Sequence, residues 1–351
     1  MPEKMKLGVM EGIKQMNIRE VEIPQPGNKE VLVKIHNCNI CTTDWQTWAG
    51  LRKSQGRKFP WAPGHEMSGE IVSIGEGANP KLKVGMRVGF GSQTSRGCGE
   101  CIYCRKGHPS RCQNKPQEVE IAGIKGSFGM SQYLIYDSTR IYLFRDDLPY
   151  EIGAFLEPVA TTVHGVRRLR LTHGDKVLVI GAGNLGLINA QVARSFGANV
   201  IVSEVNENRI SLSESLGFTT INPSKANLEE EILKYTNGRG CDAVILAVAN
   251  NVVNDQAIKA LAIMGKVLFF AAGYPAPEIK IDSNTIHYKE YELIGTWGAD
   301  PIDFEIAADL LNRDIIKVDK IISYIIPLDD IQHAFELAAT PGNYRVSLKM
   351  W

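Results

Sequence analysis

Three glycines, spaced Gly181-x-Gly183-x-x-Gly186, stand between an apolar run, Val177–Ile180, and an amphipathic stretch, Leu185–Phe196. This junction constrains the fold more than any other part of the chain, because it opens a regular alternation of the same two textures. Strand-like runs recur at Val200–Ser203, Ala243–Leu246 and Val267–Phe270, and helical periodicity recurs at Asn208–Leu216 and Asp255–Ile263. Such alternation is satisfied by a parallel sheet with helices on both faces. In that context Gly181 permits the tight turn, Gly183 lets a pyrophosphate approach the backbone, and Gly186 lets helix and strand pack closely. The N–H groups around Asn184 and Leu185, aided by the helix dipole, would hold the phosphates. Glu204 ends the next strand. An acid there accepts hydrogen bonds from the adenosine ribose and repels a 2′-phosphate, so NAD is expected over NADP. Arg209 either softens that repulsion or stands as a solvated helix residue.

The first part of the chain reads differently. Val31–His36, Gly69–Ile74 and Met86–Phe90 are strand-like, and Pro60, Pro63, Gly64, Gly75, Gly77 and Gly85 punctuate them. Dense strands with turn signals fit a compact β barrel. After Leu293-Ile294 a helix over Phe304–Leu311 precedes a β-rich tail ending at Trp351. The length of 351 residues suits two domains. Lys+Arg and Asp+Glu both number 39, which provides no electrostatic footprint for nucleic acid or an anionic membrane. No stretch approaches the ~18 consecutive apolar residues of a spanning helix, and no apolar leader follows Met1, so a cytoplasmic location is expected.

Six of the seven cysteines precede residue 113. An odd number at short spacings, without an export signal, argues for metal ligation over disulfides. Cys98, Cys101, Cys104 and Cys112 form a lobe over 95–115, and four soft ligands at this spacing suit a closed, structural zinc site. Arg105 and Lys106 would offset the thiolate charge, and His108 is expected to be solvated. A second constellation combines Cys41-Thr42-Thr43-Asp44 with Gly64-His65-Glu66. Sulfur, imidazole and carboxylate together suit zinc with an open position, and Asp44 would receive the second N–H of His65. Read in isolation, the same residues are a core cysteine, a core histidine and a solvated acid. Cys38 forms a Cys-x-x-Cys with Cys41, a redox spacing, but its strand-like setting reads as core.

Taken in order, Gly64-His65-Glu66-x-x-Gly69-x-x-x-x-x-Gly75, the four-cysteine lobe, Glu157-Pro158 and the glycine fingerprint resemble the zinc-containing medium-chain dehydrogenase/reductase family. The Glu-Pro pair looks like its sorbitol/threonine (polyol) dehydrogenase-like branch, since simple-alcohol members usually carry cysteine there. The resemblance implies an α/β plus β architecture: a GroES-like β-barrel catalytic domain over 1–157, completed by 297–351, with a Rossmann doubly wound parallel-sheet domain inserted over 158–296. It implies two Zn2+ per chain. Cys41 and His65, with either Glu66 or Glu157, would hold the catalytic one. Thr43 would relay a proton, and a hydride would pass from a secondary alcohol to NAD. Arg209 would meet the adenosine ribose beside Glu204, while Thr161, Ala272 and Trp297 would approach the nicotinamide. A homo-oligomer, tetramer or dimer, is implied as well.

Departures from the family pattern are Thr42 for a usual glycine, Gln46 for a common histidine, an altered Gly126–Tyr133 segment, and no arginine near Gly298. The expected substrate is a small polyhydroxylated molecule, namely a polyol, sugar or cyclitol. A threonine-like amino alcohol or a simple secondary alcohol is the enzymatic alternative. A non-catalytic NAD-binding protein is the other, and the joint presence of Cys41, Thr43, His65, Glu66 and Glu157 counts against it. Between Cys41 and His65, the rings of Trp45, Trp48 and Trp61 would suit a sugar, and Arg52, Lys53, Arg57 and Lys58 a phosphate or carboxylate. The plainer reading is an exposed loop with packed aromatics and solvated basic side chains.

Overall fold

A computed structural model describes residues 3–52, 58–91, 97–114 and 119–351, so Lys53 and Arg57 lie outside the described residues. The chain packs as two units, one formed by Met1–Ala160, Ala299–Asp314 and Val318–Trp351, the other by Thr161–Gly298 and Ile315–Lys317.

The first unit carries two sheets. One runs in the order Gln15–Glu22, Lys4–Gly12, Trp61–Ala62, Ile124–Gly126, Val119–Ile121. The other runs Ile141–Leu143, Arg87–Phe90, Glu66–Ile74, Glu30–Asn39, Arg345–Lys349, Ile322–Pro327, and Tyr133–Asp137 also pairs with Glu30–Asn39. Alternating apolar residues fill the space they enclose: Leu7, Val9, Val33, Ile35, Ile71 and Phe128 are wholly buried. The C-terminal strand pairs antiparallel beside the strand that leads to Cys41, with Ser347 opposite Asn39 and Leu348 opposite Cys38. Two segments far apart in sequence are thereby made neighbours at the site described below.

The tail is not purely β. Its strands flank a helix over Ile331–Ala339 that buries Ile331, Ala334 and Phe335. That i, i+3, i+4 spacing was the available helical signal. The same helix meets Trp48, whose ring centroid lies 5.8 Å from that of Phe335. Trp48 and Trp61 are 5% and 7% exposed, and Trp45 packs on the same core. Trp48 and Trp61 therefore serve packing, the plainer of the two readings of this segment, while Trp45 is half-buried.

The second unit has a six-stranded sheet in the order Thr219–Ile221, Asn199–Ser203, Lys176–Ile180, Cys241–Leu246, Leu261–Phe269, Glu292–Gly295. Every adjacent pair is parallel. Numbered along the chain this is the doubly wound order 3-2-1-4-5-6, which opens its ligand crevice where the order reverses, beside Lys176–Ile180. The helix expected over Asp255–Ile263 lies instead at Asn251–Lys259, started by Asn250, whose side chain accepts the Val253 N–H at 3.0 Å. Leu261–Ile263 joins the following strand, because parallel pairing begins at Cys241 opposite Leu261. A cap and a neighbouring strand outweigh local periodicity here. Among the described residues no helix is long and apolar enough to cross a membrane.

Candidate metal centre and nucleotide site

The strand Glu30–Asn39 delivers Cys41 to the start of a short helix, Thr42–Trp48, where extended backbone (φ −70°, ψ 153°) ends the strand course. Asp44, in the first helical turn, accepts the Cys41 N–H at 3.2 Å and is 4% exposed. His65 precedes the strand Glu66–Ile74 and is aimed by Gly64, which has φ +97°. A Cβ on Gly64 would lie 2.8 Å from the Met130 nitrogen and 2.9 Å from the Cys38 sulfur, so glycine alone allows this close approach.

These elements bring together the Cys41 thiol, a His65 ring nitrogen and a Glu66 carboxylate oxygen, all within 4.8 Å of one another. Glu66 is 1% exposed. Its Oε1 accepts Arg345 Nη2 at 2.9 Å, and its Oε2 is buried without a hydrogen-bond partner. Arg345 also donates to the Ile40 carbonyl at 3.3 Å. His65 Nδ1 lies 3.7 Å from Asp44 Oδ2, an ion-pair rather than a hydrogen-bond distance. Burial works against a charged His65, but the negative charges of Asp44, Cys41 and Glu157 together hold its pKa well above the ordinary value. Burial also raises Cys41 and Glu66, with Arg345 and His65 pulling Glu66 back.

A thiol, an imidazole, a carboxylate and an orphaned carboxylate oxygen converge in a buried place with more acids than bases. Such an arrangement is costly for a protein to keep empty of charge compensation. It is the donor set of a divalent cation of zinc type. Glu157, in the first turn of the helix Leu156–Leu169, stands outside the mutual 4.8 Å set. Burial pushes it up to about 7, while His65 pulls it down and Glu66 adds to the rise, so it adjoins the cluster.

Thr43 meets Arg52, one of the basic residues named between Cys41 and His65: Arg52 Nη1 donates to Thr43 Oγ1 at 2.9 Å. Sequence reasoning missed Arg345. No local signal points to it, since it reaches Glu66 from the opposite end of the chain. Cys38 is wholly buried and burial pushes its thiol well up, which fits the core reading.

The four sulfurs of Cys98, Cys101, Cys104 and Cys112 also lie within 4.8 Å of one another. Cys101 Sγ is 3.5 Å from Cys104 Sγ and 4.0 Å from Cys112 Sγ. Tetrahedral zinc with Zn–S bonds of about 2.3 Å requires edges of about 3.8 Å, so the pocket fits the ion. Backbone N–H groups of Cys98 and Cys101 already point at sulfur, each at 3.3 Å. His108 is exposed, as expected, and it also has a partner. Its Nδ1 lies 2.9 Å from Oδ2 of the buried Asp300, whose Oδ1 accepts the Ser110 N–H at 3.1 Å. The lobe is thus tied to the cap of the helix Pro301–Asn312.

In the second unit Gly181 has φ +100° and Gly183 caps the helix Asn184–Ser195. A Cβ on Gly186 would collide with the Gly181 carbonyl oxygen. Glu204 turns inward. Its Oε2 accepts the Ala182 N–H at 2.8 Å, and its Oε1 accepts those of Val205 and Asn206 at 2.8 and 3.0 Å. The carboxylate therefore holds the glycine turn and the next loop together. Arg209 Nη1 lies 3.9 Å from where a Cβ of Gly183 would stand. Asn184 Oδ1, at the first position of the helix Asn184–Ser195, is buried without a hydrogen-bond partner. Thr161 is half-buried in its helix. Ala272 and Trp297 follow the carboxyl ends of Leu261–Phe269 and Glu292–Gly295. Both are exposed, and Trp297 is 49% so.

Residues 27–146 match the alcohol dehydrogenase GroES-like domain, and residues 184–313 match the zinc-binding dehydrogenase domain. The chain is 31% identical to the 2-dehydro-3-deoxy-L-galactonate 5-dehydrogenase of Pseudoalteromonas atlantica over 92% of both proteins. It is 29% identical to the D-arabitol-phosphate dehydrogenase of Enterococcus avium, over 96% of this chain and 95% of that one. A putative zinc-binding dehydrogenase from Sinorhizobium meliloti, solved with NADP, superposes with a TM-score of 0.87 at 28% identity, covering 99% of this chain and 100% of that one. With the sulfur–imidazole–carboxylate cluster in one unit and the glycine turn in the other, the chain belongs to the zinc-containing medium-chain dehydrogenase/reductase family, oxidoreductases acting on CH–OH donors.

Proposed function

We propose that the protein oxidises a secondary hydroxyl of a polyol, sugar or cyclitol to a ketone, with zinc at the Cys41 cluster and NAD at the glycine turn. The observation that carries this reading is the convergence of Cys41, His65 and Glu66 around an unpartnered carboxylate oxygen. In this reading Cys41, His65 and Glu66 hold catalytic zinc, Glu157 flanks it, and Cys98, Cys101, Cys104 and Cys112 hold a structural zinc. The unit containing Met1–Ala160 is the catalytic domain, and that containing Thr161–Gly298 binds nucleotide. The names of the two relatives, a phosphorylated pentitol and a deoxy sugar acid, support a polyhydroxylated substrate.

When bound, zinc supplies Lewis acidity that lowers the pKa of a substrate hydroxyl, and NAD accepts the hydride. The Thr43 hydroxyl accepts the substrate proton on its second lone pair and passes its own proton towards solvent. Gln46, where many relatives have histidine, has no basic nitrogen to continue that relay. Glu204 favours NAD because its negative charge meets a 2′-phosphate. Thr161, Ala272 and Trp297 line the nicotinamide end. A cytoplasmic homo-oligomer is part of the proposal, supported by the edge strand Glu292–Gly295, where Leu293 is 38% exposed.

The test is nicotinamide reduction by zinc-loaded protein across polyols, cyclitols, threonine and simple alcohols, with NAD and NADP in parallel, together with metal analysis. The reading expects two zinc ions per chain and turnover of polyhydroxylated compounds with NAD. Turnover confined to unbranched primary alcohols would overturn it.

A further inference from the structure

Asn39 ends the strand Glu30–Asn39, two residues before Cys41, between the apolar Cys38 and Ile40. It is wholly buried. Asparagine is disfavoured inside strands, and here both ends of its amide, Oδ1 and Nδ2, lack a hydrogen-bond partner. Asn37, two residues back, is by contrast satisfied, since its Nδ2 donates to Ser347 Oγ at 3.2 Å. A buried amide left unpaired lowers stability, so its presence at Asn39 calls for a reason within the site.

Strand pairing shows what the amide faces. Asn39 stands opposite Glu66 on one neighbouring strand and opposite Ser347 on the other. Residues directly opposite in antiparallel pairs share a face, with Cα atoms about 4.5–5.5 Å apart. Arg345, two residues before Ser347, lies on that face too. It crosses to Glu66 Oε1, and its Nη1 donates to the carbonyl of Ile40, the residue after Asn39. On this face the acceptors Asn39 Oδ1 and Glu66 Oε2 and the donors Asn39 Nδ2 and Arg345 Nε are all buried without partners. They match, donor for acceptor. Nε suits Oδ1 and Nδ2 suits Oε2, which closes a ring through the Arg345–Glu66 pair.

We infer that Asn39 is a positioning residue for Glu66: its amide takes the Oε2 oxygen whenever the carboxylate leaves the metal, so Asn39 and the ion compete for one carboxylate. The inference rests on the reading of the Cys41 cluster as a zinc site. In the arrangement described, Oε2 and the amide stand on adjacent strands without a hydrogen bond, which leaves the oxygen to the Cys41–His65 donor set. Rotation of two side chains closes the ring. Arg345 is needed for it, because its Nε orients the amide. The consequence is a looser hold on the metal than Cys41, His65 and Glu66 would have without the asparagine.

The experiment titrates chelator-treated protein with cobalt(II). A one-sulfur site and a four-sulfur site absorb differently, so the Cys41 cluster and the cysteine lobe are read apart, and zinc affinity follows from displacement of cobalt. Wild type is compared with Asn39→Leu, which keeps the approximate volume and removes both hydrogen-bonding groups. A charge-assisted hydrogen bond made only by the metal-free form opposes metal binding. Removing it should tighten zinc at the Cys41 cluster by about 10- to 100-fold and leave the four-sulfur site unchanged. In a Glu66→Ala background the same substitution should leave zinc affinity unaltered, because the competition acts through Glu66. Where leucine does not fold, Asn39→Ala carries the same expectation.

Unchanged or weakened zinc binding in Asn39→Leu would overturn the inference, leaving the amide as a packing group. So would a tightening that persists without Glu66. If wild type takes no cobalt at a one-sulfur site, the zinc reading itself fails and the inference falls with it. If it takes the metal and loss of the amide does not tighten it, the inference alone fails.

Discussion

The buried pair of Glu66 and Arg345 offers a quantitative test of how the site is built. The two groups are 2.9 Å apart, with side chains 1% and 3% exposed. They sit on strands that come from opposite ends of the chain. Replacing Arg345 with methionine conserves much of the side-chain volume but leaves the Glu66 carboxylate with neither oxygen partnered, since Oε2 already lacks a hydrogen bond. Breaking a buried ion pair by removing one member typically costs about 3–5 kcal/mol. The screened attraction of two charges 2.9 Å apart, about 6 kcal/mol at an effective dielectric of 20, is of the same order. For a unit of this size each kcal/mol moves Tm by about 2–4 °C, so Arg345→Met should melt about 6–20 °C below wild type. The assay is scanning calorimetry on chelator-treated samples, because zinc would itself neutralise Glu66. Adding Glu66→Gln to Arg345→Met removes the stranded charge and should restore most of the loss. Two results would refute the reasoning: a single variant melting within about 2 °C of wild type, or a double variant as unstable as the single.

Cys41→Ser should abolish turnover while NAD binding, read by calorimetry, persists. Retained turnover would remove that thiol from the chemistry. Glu204→Ala should lower the NAD-over-NADP ratio of kcat/KM by about 10-fold, in line with one charge-assisted hydrogen bond, and an unaltered ratio would leave Glu204 as a loop tie alone. Cys98→Ser should reduce bound zinc by one ion per chain and lower Tm, as measured by metal release and calorimetry. Burial raises the Cys241 thiol to about 12. It is therefore protonated at pH 8, and a thiol-specific reagent should label it only after unfolding. Labelling of the native chain at the rate of the lobe cysteines would contradict its burial.

Much of this was legible in the sequence because it is local. The Gly181–Gly186 turn, its flanking strand and helix, and the four-thiol spacing each depend on residues a few positions apart. Backbone geometry alone then carries them into place, and the parallel sheet follows from the alternation of its strands and helices. The zinc-type donor residues were legible by type, and Gly64 was legible as a turn residue beside His65.

Other features were decided only by packing between distant segments. Nothing near Glu66 predicts Arg345, and only the antiparallel placement of the last strand beside Glu30–Asn39 brings them together. Glu66 rather than Glu157 completes the close donor set because strand direction and the helix start at Leu156 aim the two carboxylates differently. Trp48 and Trp61 turn inward because Phe335 and Met10 arrive from other elements to cover them. His108, still exposed, meets the buried Asp300 only because the helix that Asp300 caps packs beside the lobe. Sequence by itself determined which chemistries this chain carries, since residue type and short spacing are enough for that. Tertiary structure decided which charges meet, because a charge buried far along the chain finds its partner only when the sheet closes.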